Sequence, residues 1–321
     1  MIFRNEFGIC EEKPGIVKII EFTKIFAQTI APDNMKEKID AIYENLTVVE
    51  CDDNGCFSSF VDGHSKYNRL YSSYGCCFFD NVNTKEYTAT SSIALRLYSD
   101  RHVIKHEALH AFSSEYGKSK TGRFYDKCGA SYSERDNKQN IIIEIGNDLN
   151  EAITDALASR VDGSIGPGYG YYGAQVLIGD LLIGETVDNN SFIQDVYFNN
   201  GHKFAEDFDR TITVSGVKFA EYLKDFRVVL GNAKDKENAD KLLMGAIEYN
   251  LKKAKTSEDI DNVYNFQKRV INFYKDGGEK THFTKDEDIA RLENILEFAE
   301  KIQNQCKLNL MIQNTISNQK D

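Results

Sequence analysis

The chain has 321 residues and a formal net charge of −11 at pH 7. Its composition, 41% apolar and 12% aromatic, can build the core of one large domain or of two, which excludes a wholly disordered protein. The negative charge argues against a nucleic-acid-binding protein, since phosphate contacts need clustered Lys and Arg, and more weakly against binding to anionic membranes.

Residues 1–8 lack the basic start and the long apolar run of a secretory signal. No apolar run approaches the length that spans a bilayer. The seven cysteines are odd in number and irregular in spacing, which fits neither a disulfide framework nor a zinc knuckle. We therefore expect a cytoplasmic protein with reduced, mostly buried thiols.

The first part of the chain mixes helix and strand patterns. Apolar residues at helical spacing predict one helix over 16–30 and a second over 35–45, and the run 46–49 predicts a short strand. Residues 55–90 are rich in Ser, Tyr, Asn and Gly, which predicts short strands and loops.

A further strand is predicted over 93–98, where Ile93, Leu95 and Leu97 fall on one face. It runs directly into the next predicted helix. An exposed strand edge at this place could hold an extended peptide by main-chain hydrogen bonds. Leu95 and Leu97 are therefore the predicted wall of a substrate cleft.

The helix that follows contains an H-E-x-x-H sequence, in which His106 and His110 are four residues apart. Residues at this spacing lie on one helical face, so two imidazoles can reach a single tetrahedral Zn²⁺. Glu107 can lean towards the metal without binding it, and there it can take a proton from the attacking water. His102 is nearby, but we expect it on the other face of the helix.

A tetrahedral site still needs a third protein ligand. After a loop-like stretch to about residue 140, a second strong helix is predicted over 150–160, with Glu151 and Asp155 on one face. If Glu151 faces the metal, Asp155 can accept a hydrogen bond from the outer ring nitrogen of a ligand histidine. The alternative is an ordinary amphipathic helix whose two carboxylates face solvent.

The two helices resemble those of the gluzincin metallopeptidases. The stretch 150–155, Asn-Glu-Ala-Ile-Thr-Asp, is similar to the N-E-x-x-S/T-D helix of thermolysin-like proteases. The resemblance covers about residues 93–160, and the chain departs from thermolysin in a longer gap between the helices and in lacking an acidic calcium-site cluster. It implies a set of site residues with distinct roles, namely zinc ligands His106, His110 and Glu151, general base Glu107, and Asp155 as the residue that orients a ligand histidine.

The resemblance implies an α+β, zincin-like fold. It would consist of a small mixed or antiparallel sheet with the H-E-x-x-H helix, followed by a mainly helical C-terminal lobe, since the sequence after Pro167 has helical spacing throughout. We predict an N-terminal α+β region of unknown role over 1–90, a zincin-like metallopeptidase core over 91–230, and a helical extension packed on that core over 231–321.

The predicted function is zinc-dependent hydrolysis of a peptide or protein substrate, without a nucleic-acid or membrane partner. The oxyanion that forms during hydrolysis needs a donor besides the metal. Tyr171 is one candidate, together with Tyr169 and Tyr172 in the same Gly-rich loop. His202, in a predicted turn, is the other candidate.

Three alternatives stay open at this point. The first is a zincin fold that holds zinc without cleaving anything, such as a regulatory or phage-associated protein. The second is a helical interaction protein without a metal, in which the histidine spacing is coincidental. The third is a toxin-like peptidase that acts on one host protein and uses its helical tail as an exosite.

Overall fold

The computed structural model describes most of the chain. The described residues are 1–5, 8–51, 75–96, 99–138, 140–166, 173–188, 190–199, 201–224, 233–277, 283 and 285–318. They form a mixed α+β structure with two small sheets and a helical C-terminal region. No helix in these ranges combines the length and the apolar character needed to cross a bilayer.

The first sheet has five strands in the order β2-β1-β3-β5-β4. Its strands are β1 Ile2–Asn5, β2 Gly8–Ile9, β3 Thr47–Cys51, β4 Gly75–Asn83 and β5 Thr88–Arg96. The three central strands run parallel, and β2 and β4 are antiparallel at the two edges. The predicted boundary near residue 90 falls inside β5, which pairs with β3 and β4.

The second sheet is an antiparallel meander of four strands. These are β6 Ser114–Lys118, β7 Phe124–Cys128, β8 Ser131–Arg135 and β9 Ile141–Ile145, paired in sequence order. The stretch from 115 to 140, expected to be loop-like, is therefore mostly strand. Its strands are rich in Ser, Glu, Lys and Tyr and are only partly buried, so they lack the apolar alternation by which strands are recognised.

Ten helices are described. They are α1 Pro14–Ile30, α2 Asp33–Asn45, α3 Arg101–Phe112, α4 Asn147–Arg160, α5 Gly173–Ile183, α6 His202–Thr211, α7 Phe219–Tyr222, α8 Ala233–Lys253, α9 Ser257–Asp276 and α10 Asp286–Asn318. A single π-helical turn, Ile193–Tyr197, precedes α6. The predicted H-E-x-x-H helix corresponds to α3, and the helix predicted over 150–160 corresponds to α4.

One continuous core joins strands of the first sheet to the helices, from Phe3 in β1 to Ile302 in α10. Within it, α3 packs against α1, α2 and α4 and against strands β4 and β5, while α4 packs on α5. The contact between α4 and α5 is close: a Cβ added at Gly179 would lie 2.6 Å from the carbonyl oxygen of Ala152. Both helices that bear the predicted ligands are thus held in the centre of the molecule.

The start of α3 is fixed by its own sequence. Asp100 caps the helix, because its carboxylate accepts hydrogen bonds from the backbone N–H groups of His102 and Val103 at 2.8 and 3.1 Å. From Ile104 to Phe112 every residue is buried. A helix buried on all sides carries polar residues only where they have partners, so its histidines and glutamate require an explanation.

Candidate metal centre

Helices α3 and α4 bring three predicted ligands together. Nε2 of His106 lies 3.2 Å from Oε2 of Glu151, and Nε2 of His110 lies 3.4 Å from Oε1 of the same carboxylate. The two Nε2 atoms are 2.9 Å apart. All three residues offer a ligand atom within 4.8 Å of the others, so this grouping could hold a metal ion.

The separations suit a small tetrahedral ion. Zinc bonds of about 2.0–2.1 Å at tetrahedral angles place neighbouring ligand atoms roughly 3.3 Å apart. The distances from the two histidines to Glu151, 3.2 Å to Oε2 and 3.4 Å to Oε1, are close to that value, and the histidine–histidine distance of 2.9 Å is slightly short. Two imidazole nitrogens and one carboxylate oxygen are also donor types that zinc accepts.

The electrostatics keep the carboxylate of this group ionised. Burial would raise the pKa of Glu151, but His110 and His106 outweigh it and hold the pKa well below its ordinary value. Burial would also lower the pKa of His106, but the carboxylates of Asp155 and Glu151 raise it to about 9. A bound cation would therefore take the place of a proton on the histidines.

Glu107 lies beside this group and is 7% exposed. Burial raises the pKa of its carboxyl to about 7, against the opposing influence of the two histidines. A Cβ added at Gly75, the first residue of β4, would lie 2.7 Å from Cγ of Glu107 and 2.9 Å from its Oε1. The start of strand β4 therefore lies against the predicted general base.

Asp155 lies one helical turn beyond Glu151 and contacts two histidines of α3. Its Oδ1 is 3.5 Å from Nδ1 of His106 and 2.5 Å from Nε2 of His102. The expectation that His102 lies on the other face of its helix is wrong. The spacing 102, 106, 110 repeats every four residues, so the three imidazoles follow one ridge of α3.

A second grouping, His102, His106 and Asp155, also offers three ligand atoms within 4.8 Å of one another. The 2.5 Å contact between His102 Nε2 and Asp155 Oδ1 is a hydrogen-bond distance. Two ligands of one zinc ion stand roughly 3.3 Å apart, which is longer than this contact. The grouping of His106, His110 and Glu151 is therefore the better metal site.

The outer nitrogen of His110, Nδ1, has several polar partners. Its Nδ1 lies 3.3 Å from Oγ1 of Thr154, which in turn lies 2.9 Å from the hydroxyl of Tyr197. Nδ2 of Asn150 and Sγ of Cys128 are also near this nitrogen, at 3.2 and 3.4 Å. Asn150 and Thr154 belong to the stretch that resembles the N-E-x-x-S/T-D helix, so the sequence indicates them. No local sequence pattern indicates Cys128 or Tyr197.

The predicted substrate wall has a different position in the structure. Leu95 is 1% exposed, and β5 is hydrogen-bonded to β3 on one side and to β4 on the other. Its edge is therefore not open to a peptide. The strand with an open edge beside α3, within the described ranges, is β4. Leu97 lies outside the described residues.

His202 is the one predicted oxyanion donor that lies within the described residues. His202 begins α6 with an exposed side chain, and no contact in the described part of the chain links it to the three ligands. Tyr169, Tyr171 and Tyr172 lie outside the described residues.

Comparisons with family models, with curated proteins and with solved structures find no match for this chain.

Proposed function

We propose that this chain is a zinc-dependent metallopeptidase of the gluzincin type. The observation that carries the proposal is the convergence of His106, His110 and Glu151 from two buried helices, at separations that suit a tetrahedral ion. An amphipathic helix with its carboxylates in solvent does not account for this arrangement, because Glu151 contacts both histidines.

Zinc held by these ligands would act as a Lewis acid that polarises a carbonyl group and lowers the pKa of water towards neutrality. Glu107 takes a proton from the attacking water and passes it to the leaving amine. Burial raises the pKa of the Glu107 carboxyl, which makes its carboxylate a stronger base towards the attacking water. Asp155 and Thr154 lie next to the outer nitrogens of His106 and His110, where they can orient the two rings.

The substrate is a peptide in an extended conformation along β4. This strand starts at Gly75, next to Glu107, and its outer edge has no strand partner among the described residues. Backbone N–H and C=O groups on an open edge can hydrogen-bond to an extended peptide, which adds a strand to the sheet. The proposed wall of the cleft is therefore β4, one strand further out than the strand predicted from the sequence.

Metal stoichiometry tests the ligand assignment. We expect about one zinc per chain in the wild-type protein, and loss of tight zinc binding in His106→Ala, His110→Ala and Glu151→Ala, because three protein ligands are the minimum of a catalytic zinc site. Atomic absorption after dialysis measures the zinc. Glu206→Gln, at an exposed position of α6, is the control and should keep the metal. A wild-type protein without stoichiometric zinc would overturn the proposal.

Glu107→Gln tests the chemistry separately from the metal. We expect this variant to keep its zinc and to lose about 10²–10⁴-fold in hydrolysis, because an amide cannot accept the proton from water. Cleavage of a peptide library of mixed sequence, followed by mass spectrometry, measures the rate over many possible substrates at once. Glu107→Gln with wild-type zinc and wild-type cleavage would show that Glu107 is not the base.

A further inference from the structure

The imidazole of His102 is not used by the proposed mechanism, although it lies on the ridge of α3 that carries both histidine ligands. It is 14% exposed and packs against the carboxylate of Asp155, which is 5% exposed. We propose that His102 is a positioning residue for the metal ligand His106 and acts through Asp155. This role rests on the proposed metal site and extends it by one residue.

The contacts of Asp155 are unequal. Its Oδ1 is 2.5 Å from Nε2 of His102 and 3.5 Å from Nδ1 of His106. Its Oδ2 is buried and has no hydrogen-bond partner among the described residues. The orientation of the carboxylate is therefore fixed mainly by His102, since the contact with His106 is at the outer limit of a hydrogen bond.

The position of His102 is itself well determined. It is in the first turn of α3, where its backbone N–H donates to the capping carboxylate of Asp100 at 2.8 Å. The helix then sets its ring above that of His106, with ring centroids 6.5 Å apart. Without His102, the buried carboxylate of Asp155 could rotate away from Nδ1 of His106, and the ring of that ligand would lose its orientation.

The loss of such an outer partner lowers metal affinity by about 10–100-fold when it contacts a ligand directly. His102 acts on the ligand His106 through Asp155 rather than directly, so we expect His102→Ala to weaken zinc binding by about tenfold. His102→Gln should recover most of the affinity, because its Nε2–H can donate to Asp155. Arg101→Ala, in the same helical turn with an exposed side chain, is the matched control and should bind zinc as the wild type does.

Zinc affinity is measured by competition with a chromophoric chelator, and the visible absorption of the Co²⁺-substituted proteins reports ligand geometry. A displaced His106 should change the Co²⁺ spectrum in His102→Ala and leave it unchanged in His102→Gln. Circular dichroism of the metal-free proteins shows whether each variant is folded. A merely structural His102 would lower thermal stability without the recovery by Gln.

The outcomes separate this role from the proposed function. Zinc in the wild-type protein, with equal affinity in His102→Ala, would overturn the role of His102 and leave the peptidase intact. Equal losses in His102→Ala and His102→Gln would overturn it too, because the donated hydrogen bond would then not matter. A wild-type protein that binds no zinc would overturn both.

Discussion

At the residue scale, the spacing of four residues is the signal that could be read from the sequence. It places His106 above His110 and Glu151 above Asp155, and both pairs share a helical face in the structure. The same spacing includes His102, which was expected on the other face. The convergence of α3 on α4 could not be read locally, because it depends on packing between segments about 45 residues apart.

Gly75 offers a residue-scale test of the position of Glu107. A side chain at this position would force Glu107, Val103 or the strand itself to shift, since a Cβ would lie 2.7 Å from Cγ of Glu107 and 2.9 Å from Cγ1 of Val103. We expect Gly75→Ala to keep zinc and to lower the rate of peptide cleavage by about tenfold or more, because small misplacements of a catalytic group are costly. The rate and the zinc content are measured on the same preparation.

The control for this prediction is Gly15→Ala, because no atom lies within 4 Å of a Cβ added at Gly15. It should cleave the peptide library as the wild type does. A Gly75→Ala protein with full zinc and full activity would show that Glu107 tolerates displacement and that the contact with β4 does not position it.

At the element scale, the helices could be predicted from the sequence better than the sheets. The predicted helices over 16–30 and 35–45 correspond to α1 and α2, because their apolar residues recur at helical spacing. The order of strands in the first sheet could not be predicted from the sequence, since β5 pairs with two strands that lie before it in sequence. Local alternation shows a face of a strand, but only tertiary pairing decides which strand is the edge.

Glu248 in α8 anchors the segment that follows α6. Its carboxylate accepts hydrogen bonds from the backbone N–H groups of Thr213, Val214 and Ser215, each at 2.8 Å, and pairs with Lys252 at 2.7 Å. Burial alone would raise the pKa of Glu248, but these donors outweigh it and hold the pKa at about 2, below the ordinary value of 4.5. The ionised form is therefore stabilised by folding.

This shift predicts a pH dependence of stability. A carboxyl whose pKa is lowered on folding contributes stability above its unfolded pKa and loses it as the pH falls through the folded value. The free energy of unfolding of the wild type should exceed that of Glu248→Gln at pH 6, and the difference should shrink by up to about 3 kcal/mol towards pH 2. Urea unfolding at several pH values measures both proteins.

The matched control is Glu297→Gln, at an exposed position of α10. Its difference from the wild type should stay near zero at all pH values, because an exposed carboxyl has little to lose on protonation. A constant difference between the wild type and Glu248→Gln from pH 6 to pH 2 would contradict the role of the ionised carboxylate as the anchor.

At the scale of the whole molecule, one core connects the sheet at the N-terminus to the helices at the C-terminus. Residues from β1, α3, α4, α8 and α10 belong to the same buried cluster. The predicted metal ligands lie on α3 and α4, and both helices contribute buried residues to this cluster. A metal ion bound by residues of both helices should therefore stabilise the whole chain against unfolding.

The stabilisation expected from zinc binding can be calculated. A ligand that binds only the folded state adds about 2.7 kcal/mol to the free energy of unfolding when its free concentration is a hundred times its dissociation constant. We expect this gain from Zn²⁺ in the wild type after treatment with a chelator, and none in Glu151→Ala. The chain has no Trp, so far-UV circular dichroism is the appropriate probe of urea unfolding.

The number of transitions in the urea unfolding curve is a second part of this prediction. Because the ligand helices share their core with both ends of the chain, Zn²⁺ should move a single cooperative transition as a unit. Two transitions, of which zinc moves only one, would contradict a shared core and would show that part of the chain unfolds independently of α3 and α4. Glu206→Gln, which should gain the same stability as the wild type, separates a specific effect of the metal from a change in surface charge.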